Sequence, residues 1–188
     1  MTLGHNGGMK IQPGVRELGP TDAELVLYTT CEGPAAALGH DLTIVAERWS
    51  ATLTIGRTPA ECALEVSVDL TSLDVRESFG GAKEVSDSDR AEIEHNMAES
   101  LQVATHPELR FVSTEVRGTW RDGGEVDGDL TLAGQTKPVT LNVVERDGVF
   151  RLGGEIRQSA FGIKPYSAMM GALRIVDSVV VGVSVPVK

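Results

Sequence analysis

The sequence predicts an all-β protein, an eight-stranded antiparallel barrel with one covering helix at about residues 89–101. Three observations lead to this class. Apolar and polar residues alternate with a period of two along most of the chain, turn signals separate the alternating runs, and one segment alone has helical periodicity. A length of 188 residues fits one domain of this kind.

The predicted strands each place apolar side chains on one face and polar side chains on the other. The apolar faces are Leu64, Val66, Val68 and Leu70; Val126, Leu130 and Leu132; Val139, Leu141 and Val143; Phe150, Leu152 and Ile156; and Ile175, Val179, Val181, Val183 and Val185. Turn signals at residues 122–124, 133–138 and 147–148 connect these runs, as expected for antiparallel neighbours.

Two predicted strands change the phase of their alternation. In residues 42–55 the apolar face shifts by one position near residues 47–48, and in residues 109–120 it shifts after Phe111. An inserted residue is what a β-bulge adds to a strand, and bulged strands are typical of strongly coiled sheets. We therefore expect two bent strands; the alternative is burial of both faces at these points.

The helical segment places Ile93, Met97 and Leu101 four residues apart on one face. The candidates for its N-terminal cap are Ser86, Asp87, Ser88 and the pair Asp89 and Glu92. It lies within a long excursion, about residues 76–106, between two strands. Such an excursion is expected to cross one end of the barrel.

Composition excludes several classes of function. A net charge of −10 disfavours nucleic acid and anionic membranes as partners, because phosphates are repelled. No apolar run approaches the roughly 20 residues that span a bilayer, so we expect no stable membrane insertion. The first residues lack a signal-peptide pattern. We predict a flexible tail over residues 1–14, a single domain over residues 15–188 and a cytoplasmic location.

Catalytic and metal-binding motifs are absent from the sequence. The two cysteines, Cys31 and Cys62, have no metal-like spacing and are expected to be reduced. The four histidines form no metal-binding pair, and no nucleotide-binding or nucleophile motif is present. We predict no enzyme activity, no metal and no cofactor. The alternative is an enzyme for a small apolar substrate that uses His40 and Asp41 as acid and base.

Residues 158–173 join two predicted strands and are unusually apolar for a connection. Tyr166, Met169 and Met170 have no periodic face that would explain them. Methionine adapts to irregular apolar shapes, and tyrosine offers a ring with a hydroxyl, so these residues suit a lipid or its headgroup. The alternative is a loop folded onto the end of its own barrel.

Four motifs together resemble the YceI-like family of lipid- or polyisoprenoid-binding proteins. They are GHDLTI at residues 39–44, HPELRFVST at 106–114, GDLTLAGQTKPVTLNV at 128–143 and QSAFGIKPYSAMMGAL at 158–173. The order and spacing of the second and third motifs are the specific part of this resemblance.

The resemblance implies an extended, lipocalin-like, eight-stranded barrel whose tunnel holds a long isoprenoid chain, such as a quinone tail or a polyprenyl lipid. It implies a binding or carrier protein in which the helix region and the loop at residues 158–173 shape one end. Many members are periplasmic, whereas the start of this sequence shows no export pattern. Many also carry a His-Ser near residues 40–41 and a histidine in the turn at residues 133–138, where this chain differs.

On this basis we assign nine ligand-binding candidates: His40, Leu42, Ile44, Met97, Phe111, Phe161, Tyr166, Met169 and Met170. The alternative role for Phe111 is core packing, and Trp49 and Trp120 are expected to fill a barrel end. Periodicity does not decide between a hollow barrel and one filled by its own side chains. A filled, purely structural module therefore remains a third hypothesis, and pairing of apolar mouths or edge strands suggests a homodimer.

Overall fold

The computed structural model describes residues 12–120 and 123–186, which form fourteen strands and one α-helix. The strands are β1 (Gly14–Leu18), β2 (Leu25–Thr29), β3 (Cys31–Glu32), β4 (His40–Ala46), β5 (Trp49–Ile55), β6 (Ala63–Asp69), β7 (Leu73–Gly80), β8 (Glu108–Thr119), β9 (Gly123–Leu132), β10 (Gln135–Arg146), β11 (Val149–Arg157), β12 (Ser167–Ala168), β13 (Leu173–Ile175) and β14 (Ser178–Pro186), and the helix is α1 (Asp87–Ser100). The predicted all-β class with one helix is confirmed. Most of the predicted tail lies outside the described residues, but Gly14 already begins β1.

Eleven strands form one curled antiparallel sheet, in the order β1-β5-β6-β8-β9-β10-β11-β14-β2-β4-β7. The predicted count of eight is therefore wrong, although the sheet is barrel-like. Two long strands are each divided at a bend: β4 and β5 by two residues, and β6 and β7 by a 3₁₀ turn at Leu70–Ser72. The added strand β1 pairs with β5. Because β4 and β5 belong to one bent segment yet lie near opposite ends of this order, the sheet must curl round.

The predicted bulge in residues 109–120 is confirmed, whereas the predicted bulge at residues 47–48 is a break that divides the segment into β4 and β5. The chain bends at residues 47–48, where buried positions pass from Leu42, Ile44 and Ala46 to Trp49 and Ala51. The β8–β9 register shifts between Ser113 and Glu115. A third shift, between Thr43 and Ile44 opposite β7, was not predicted because the sequence of β7 carries no visible change of phase.

Helix α1 begins two residues before the predicted start and ends one residue before the predicted end. Ser86 caps it: the Ser86 hydroxyl accepts a hydrogen bond from the Asp89 amide, and the Asp89 carboxylate accepts one from the Ser86 amide at 3.1 Å. Ile93, Met97 and Leu101 pack against the core as predicted. The helix also protects an edge of the sheet, because the Val75 amide of β7 donates to Glu94 Oε1 at 3.3 Å.

The last predicted strand is divided. β13 belongs to a separate three-stranded sheet with β12 and β3, and β14 alone joins the large sheet. The chain turns between them, where the Val176 amide donates to the Thr30 carbonyl at 2.8 Å and the Gln158 amide donates to the Asp177 carbonyl at 2.9 Å. The small sheet lies beside one end of the large sheet. In the described part of the chain, no helix is long and apolar enough to cross a membrane.

Candidate functional site

The concave face of the large sheet is apolar on every strand that lines it. Strand pairing aligns its side chains across neighbouring strands: Ile44 with Leu27 and Val181, and Ala46 with Leu25 and Val183. The polar side chains between them face outward, where Arg117 contacts Asp127 and holds the pKa of that carboxyl below its usual range. The interior therefore offers apolar contact and the exterior offers charge.

The degree of burial varies along the concave face. Towards the helix its side chains are buried, including Leu42, Ile156, Leu132 and Val75. Along β2, β11 and β14 they are only partly buried although they point to the same interior. We call this second part the concave apolar strip; its residues are Leu25, Leu27, Leu152, Val181 and Val183. Inward residues on β6, β8 and β10 are also partly buried, namely Val66, Leu109 and Val139.

The helix end of the sheet is closed by the first half of the 158–173 segment. Phe161 is 1% exposed and Ile163 is 2% exposed, so both side chains are core residues. Gly162 between them adopts a left-handed backbone with φ 71°, which turns the chain so that both neighbours point inward. The Ser159 amide anchors this turn by donating to Asp177 Oδ1 at 2.7 Å.

The second half of the segment projects away from the core. Tyr166 and Met169 are exposed, and Met170 is fully exposed. Both methionines have positive φ, 51° and 54°, at the tip of a turn that follows β12. A neighbouring loop supports this tip through the Ala35 amide, which donates to the Ala172 carbonyl at 2.9 Å. In this structure the two methionine side chains pack neither on the core nor inside the sheet.

His40 and Asp41 do not converge on one point. They are consecutive strand residues, so their side chains leave opposite faces of the sheet. His40 Nε2 donates to the Lys83 carbonyl at 2.8 Å, and Asp41 Oδ1 accepts from the Cys31 amide at 2.8 Å. Each side chain is thus engaged in a hydrogen bond with a backbone group. This geometry favours the structural interpretation over an acid–base pair.

The free thiol of Cys31 also contacts the backbone at the start of β4. Its Sγ donates to the His40 carbonyl at 3.2 Å, and burial together with the nearby Asp41 carboxylate raises the pKa of the thiol. A raised pKa keeps the thiol protonated and unreactive at neutral pH. Cys62 is also free.

The structure brings five of the nine predicted ligand-binding residues together. Leu42, Ile44, Phe111 and Phe161 belong to one buried cluster, and Met97 packs against it. The Phe111 ring fits because Gly128 faces it: a Cβ at that position would lie 2.4 Å from the ring. The other four residues lie outside the cluster at the helix end: His40, Tyr166, Met169 and Met170.

Two clefts open at the helix end; polar and apolar surface line the first about equally, and polar surface predominates in the second. One, of about 440 Å³, lies between the end of α1 and residues 162–167 and includes Lys164 and Tyr166. The other, of about 510 Å³, lies between His40 and residues 80–85. Within the described ranges, no group of three or more His, Cys, Asp and Glu side chains is arranged to hold a metal ion.

Sequence reasoning missed the concave apolar strip as a candidate site. The alternation of Val179 to Val185 was recognised as a strand face, but nothing in the sequence distinguishes a covered face from an uncovered one. The same limit applies to Leu25 and Leu27. The signal that identifies them is their incomplete burial at inward positions, which exists only in the folded chain.

Comparison with known proteins gives consistent results. The sequence model of the YceI-like domain matches residues 35–187. A UPF0312 protein of Pseudomonas putida (strain W619) is 46% identical over 59 residues, which is 31% of each chain. Protein YceI of Escherichia coli O157:H7 is 32% identical over 123 residues, 57% of this chain and 56% of that protein. The aligned regions thus span about a third to a little over half of these curated relatives.

Solved structures show the same fold. BcnA of Burkholderia cenocepacia superposes with a TM-score of 0.65 at 15% identity, covering 88% of this chain and 96% of that one. The YceI protein of Campylobacter jejuni superposes with a TM-score of 0.54 at 17% identity, covering 77% and 84%. At such identities the likeness concerns the fold alone.

Proposed function

Because the chain belongs to the YceI-like domain family, we propose that it is a non-catalytic binding or carrier protein for a long apolar amphiphile of the isoprenoid class. The ligand chain lies along the concave apolar strip. The observation that carries this proposal is the incomplete burial of inward Leu and Val side chains on β2, β11 and β14, beside neighbours that are fully buried.

The energetics favour a long, flexible ligand. Burial of apolar surface is worth about 25 cal/mol per Å², or about 0.8 kcal/mol per methylene. Each added isoprene unit therefore strengthens binding until the strip is covered. The aliphatic lining offers no directional contact that would select a rigid or polar ligand. Specificity then comes from length and shape.

The non-catalytic part of the proposal is supported by the positions of His40 and Asp41. Both side chains are engaged by backbone groups at the rim. The strip itself contains only Leu and Val, which supply no acid, base or nucleophile. Such an interior can hold a ligand and release it unchanged.

The test compares two adjacent valines of β14. Val181 belongs to the strip, whereas Val180 is 44% exposed on the outer face. We expect the wild-type protein and Val180→Glu to bind geranylgeraniol alike, as followed by native mass spectrometry. In Val181→Glu a carboxylate must be buried against the ligand chain, which weakens binding by on the order of tenfold or more.

The control addresses folding. Circular dichroism and thermal melting must show that Val181→Glu remains folded before its binding is compared. A wild-type protein that fails to bind geranylgeraniol after delipidation, or equal losses in the two variants, would contradict the proposal.

A further inference from the structure

Large apolar side chains are exposed together at the helix end of the molecule. Tyr166 is 41% exposed, Met169 is 57% exposed and Met170 is fully exposed, while Leu38 and Phe79 are about half exposed. We call these five residues the apolar end patch. The other large apolar side chains that are exposed within residues 12–120 and 123–186 lie along strands β1, β2, β10 and β14. Single exposed apolar residues need no explanation, whereas a group of them marks a contact surface.

Backbone contacts bring the members of the patch together. The Ala35 amide donates to the Ala172 carbonyl at 2.9 Å, which joins the loop before β4 to the tip that carries the two methionines. The same loop leads into β4, where His40 pairs with Gly80 at the end of β7, next to Phe79. The loop therefore adjoins both the tip and the end of β7, and the exposed side chains share one surface.

The size of the patch is large for a monomer but small for a stable dimer. Large side chains cover about 150–250 Å² each, so the exposed fractions amount to roughly 500 Å². The largest apolar patch of a typical monomer measures about 300–600 Å² and is often functional. A stable protein–protein interface takes about 800 Å² from each partner. The area therefore favours a transient contact over a permanent one.

The tip presents its apolar side chains to solvent. Met169 and Met170 both adopt left-handed backbone, with φ 51° and 54°, which is costly for most residues other than glycine, asparagine and aspartate. In the described part of the chain, neither side chain offsets this strain by packing on the core. A strained backbone of this kind is typical of functional sites. The strain here is consistent with a contact that the tip makes outside its own chain.

The charges around the patch favour a neutral partner. The chain carries a net charge of −10, so a second copy of it or an anionic surface is repelled. Beside the patch, Lys83 pairs with Asp89 at 2.9 Å and Arg174 pairs with Glu32 at 3.3 Å. Lys164, which has no ion pair among the described residues, adds a single positive charge. One lysine does not make the basic surface that anionic lipids attract.

A zwitterionic bilayer surface matches these properties, because it carries no net charge and its headgroup region admits projecting side chains. Tyrosine favours this interfacial region, and methionine adapts to irregular apolar surroundings. We propose that the apolar end patch docks reversibly on zwitterionic bilayers, with Met169 and Met170 entering the boundary between headgroups and acyl chains. This goes beyond the proposed function, since the partner is a membrane surface and not a ligand of the interior.

The first test measures how lipid charge affects docking. Delipidated wild-type protein is mixed with phosphatidylcholine vesicles at low ionic strength, and bound protein is separated by flotation. We expect binding that weakens when phosphatidylglycerol replaces part of the phosphatidylcholine, because the anionic surface repels the net charge of −10. Added salt should restore binding to the mixed vesicles by screening this repulsion. A protein that docks through basic residues shows the opposite dependence.

The second test changes the tip without disturbing its turn. Met169→Asn combined with Met170→Asn removes the apolar contacts, and asparagine tolerates left-handed backbone. We expect the affinity for phosphatidylcholine vesicles to fall at least tenfold, because burial of one methionine alone changes an equilibrium by about that factor or more. The control, Val15→Asn, should bind like the wild type: Val15 is 65% exposed but pairs with Thr54, near the end of β5 opposite the helix end.

The third test locates the contact in the wild-type protein. The methionines are labelled with ¹³C at their methyl groups, and the protein is bound to phosphatidylcholine bicelles that contain a spin-labelled phosphatidylcholine. We expect the methyl resonances of Met169 and Met170 to broaden. The methyl resonance of Met97, which packs against the core, should broaden much less and serves as the internal reference.

Several results would overturn the inference. They are no binding to phosphatidylcholine, binding that increases with phosphatidylglycerol, equal affinities of the double variant and the wild type, or equal broadening of all three methyl resonances. A dimer that sedimentation analysis shows in the wild type and not in the double variant, without vesicle binding, would assign the patch to a second copy and also overturn it. The first and third tests use wild-type protein and therefore do not depend on the stability of the variants.

The outcomes are independent of the proposed function. The vesicles contain no isoprenoid, so a failure to dock leaves the binding of geranylgeraniol in the interior untouched. Conversely, a protein that docks on phosphatidylcholine but does not bind geranylgeraniol would retain this inference and lose the proposed function.

Discussion

A tryptophan at position 183 distinguishes an uncovered interior from a filled one. Val183 lies on the concave face of β14 between Leu25 and Leu152, and all three side chains are only partly buried. An enlarged side chain there must enter the interior. The sign of the resulting change in the free energy of unfolding reports whether space exists.

The magnitude follows from surface area. A buried tryptophan covers about 150–250 Å², and about half of that is new relative to valine, so an uncovered interior predicts a gain of up to about 2 kcal/mol. A well-packed interior predicts the opposite, because overpacking costs about 1–3 kcal/mol. The two interpretations therefore differ by several kcal/mol and in sign.

Urea unfolding of Val183→Trp, with Val180→Trp on the outer face as the matched control, measures this difference. We expect the control to change stability by less than about 0.5 kcal/mol. We expect Val183→Trp to be at least as stable as the wild type and to have lost most of its affinity for geranylgeraniol, because the indole occupies the strip. Destabilisation of Val183→Trp by more than about 1 kcal/mol, at an unchanged denaturant slope, would refute the reasoning.

Two further predictions concern the parts that close and cap the fold. Phe161→Ala removes a fully buried side chain and should lower the free energy of unfolding, measured in urea, by about 3–5 kcal/mol. The control Phe79→Ala, at an exposed position, should lower it by less than about 0.5 kcal/mol. Equal losses in the two variants would contradict the assignment of Phe161 as the core residue that closes the helix end. Hydrogen bonds from Ser86, together with Lys83, hold the pKa of Asp89 well below its usual range, so its stabilising contribution is present above the unfolded pKa of about 3.9 and is lost as the pH falls below it. Asp89→Asn should flatten the decline of melting temperature in this acidic range, and an unchanged decline would show that the cap does not contribute.

Much of the fold was predictable because short-range rules decide it. The period of two identified the long strands, and a one-residue change of phase located the bends near Glu47 and Ser113. The helix was recognised from the spacing of Ile93, Met97 and Leu101. In each of these cases the spacing of apolar residues close together in the sequence indicates which face is buried.

Features that depend on distant contacts were not predictable. The separation of β13 from β14 depends on pairing with β3, more than 140 residues earlier in the chain. The apolar character of residues 158–173 suggested one role, yet the segment divides into a buried plug at Phe161 and Ile163 and an exposed tip at Met169 and Met170. Composition is alike in the two halves, and only the turn at Gly162 and the small sheet distinguish them.

The candidate site likewise contains residues that the sequence predicted and residues that it did not. Sequence motifs selected Leu42, Ile44, Phe111 and Phe161, which are interior residues, but the structure buries them as core. The strip is apparent only from the burial of each position in the folded chain. The ligand-binding role of His40, Tyr166, Met169 and Met170 remains a prediction.

The most direct test of the proposed function is the location of a bound isoprenoid. In methyl-labelled protein saturated with farnesol, we expect intermolecular nuclear Overhauser effects from the ligand chain to the methyl groups of Leu25, Leu27, Val181 and Val183. Contacts restricted to Met169, Met170 and the ring of Tyr166 would contradict the account, because they would place the ligand on the exposed tip at the helix end and leave the concave apolar strip without a ligand.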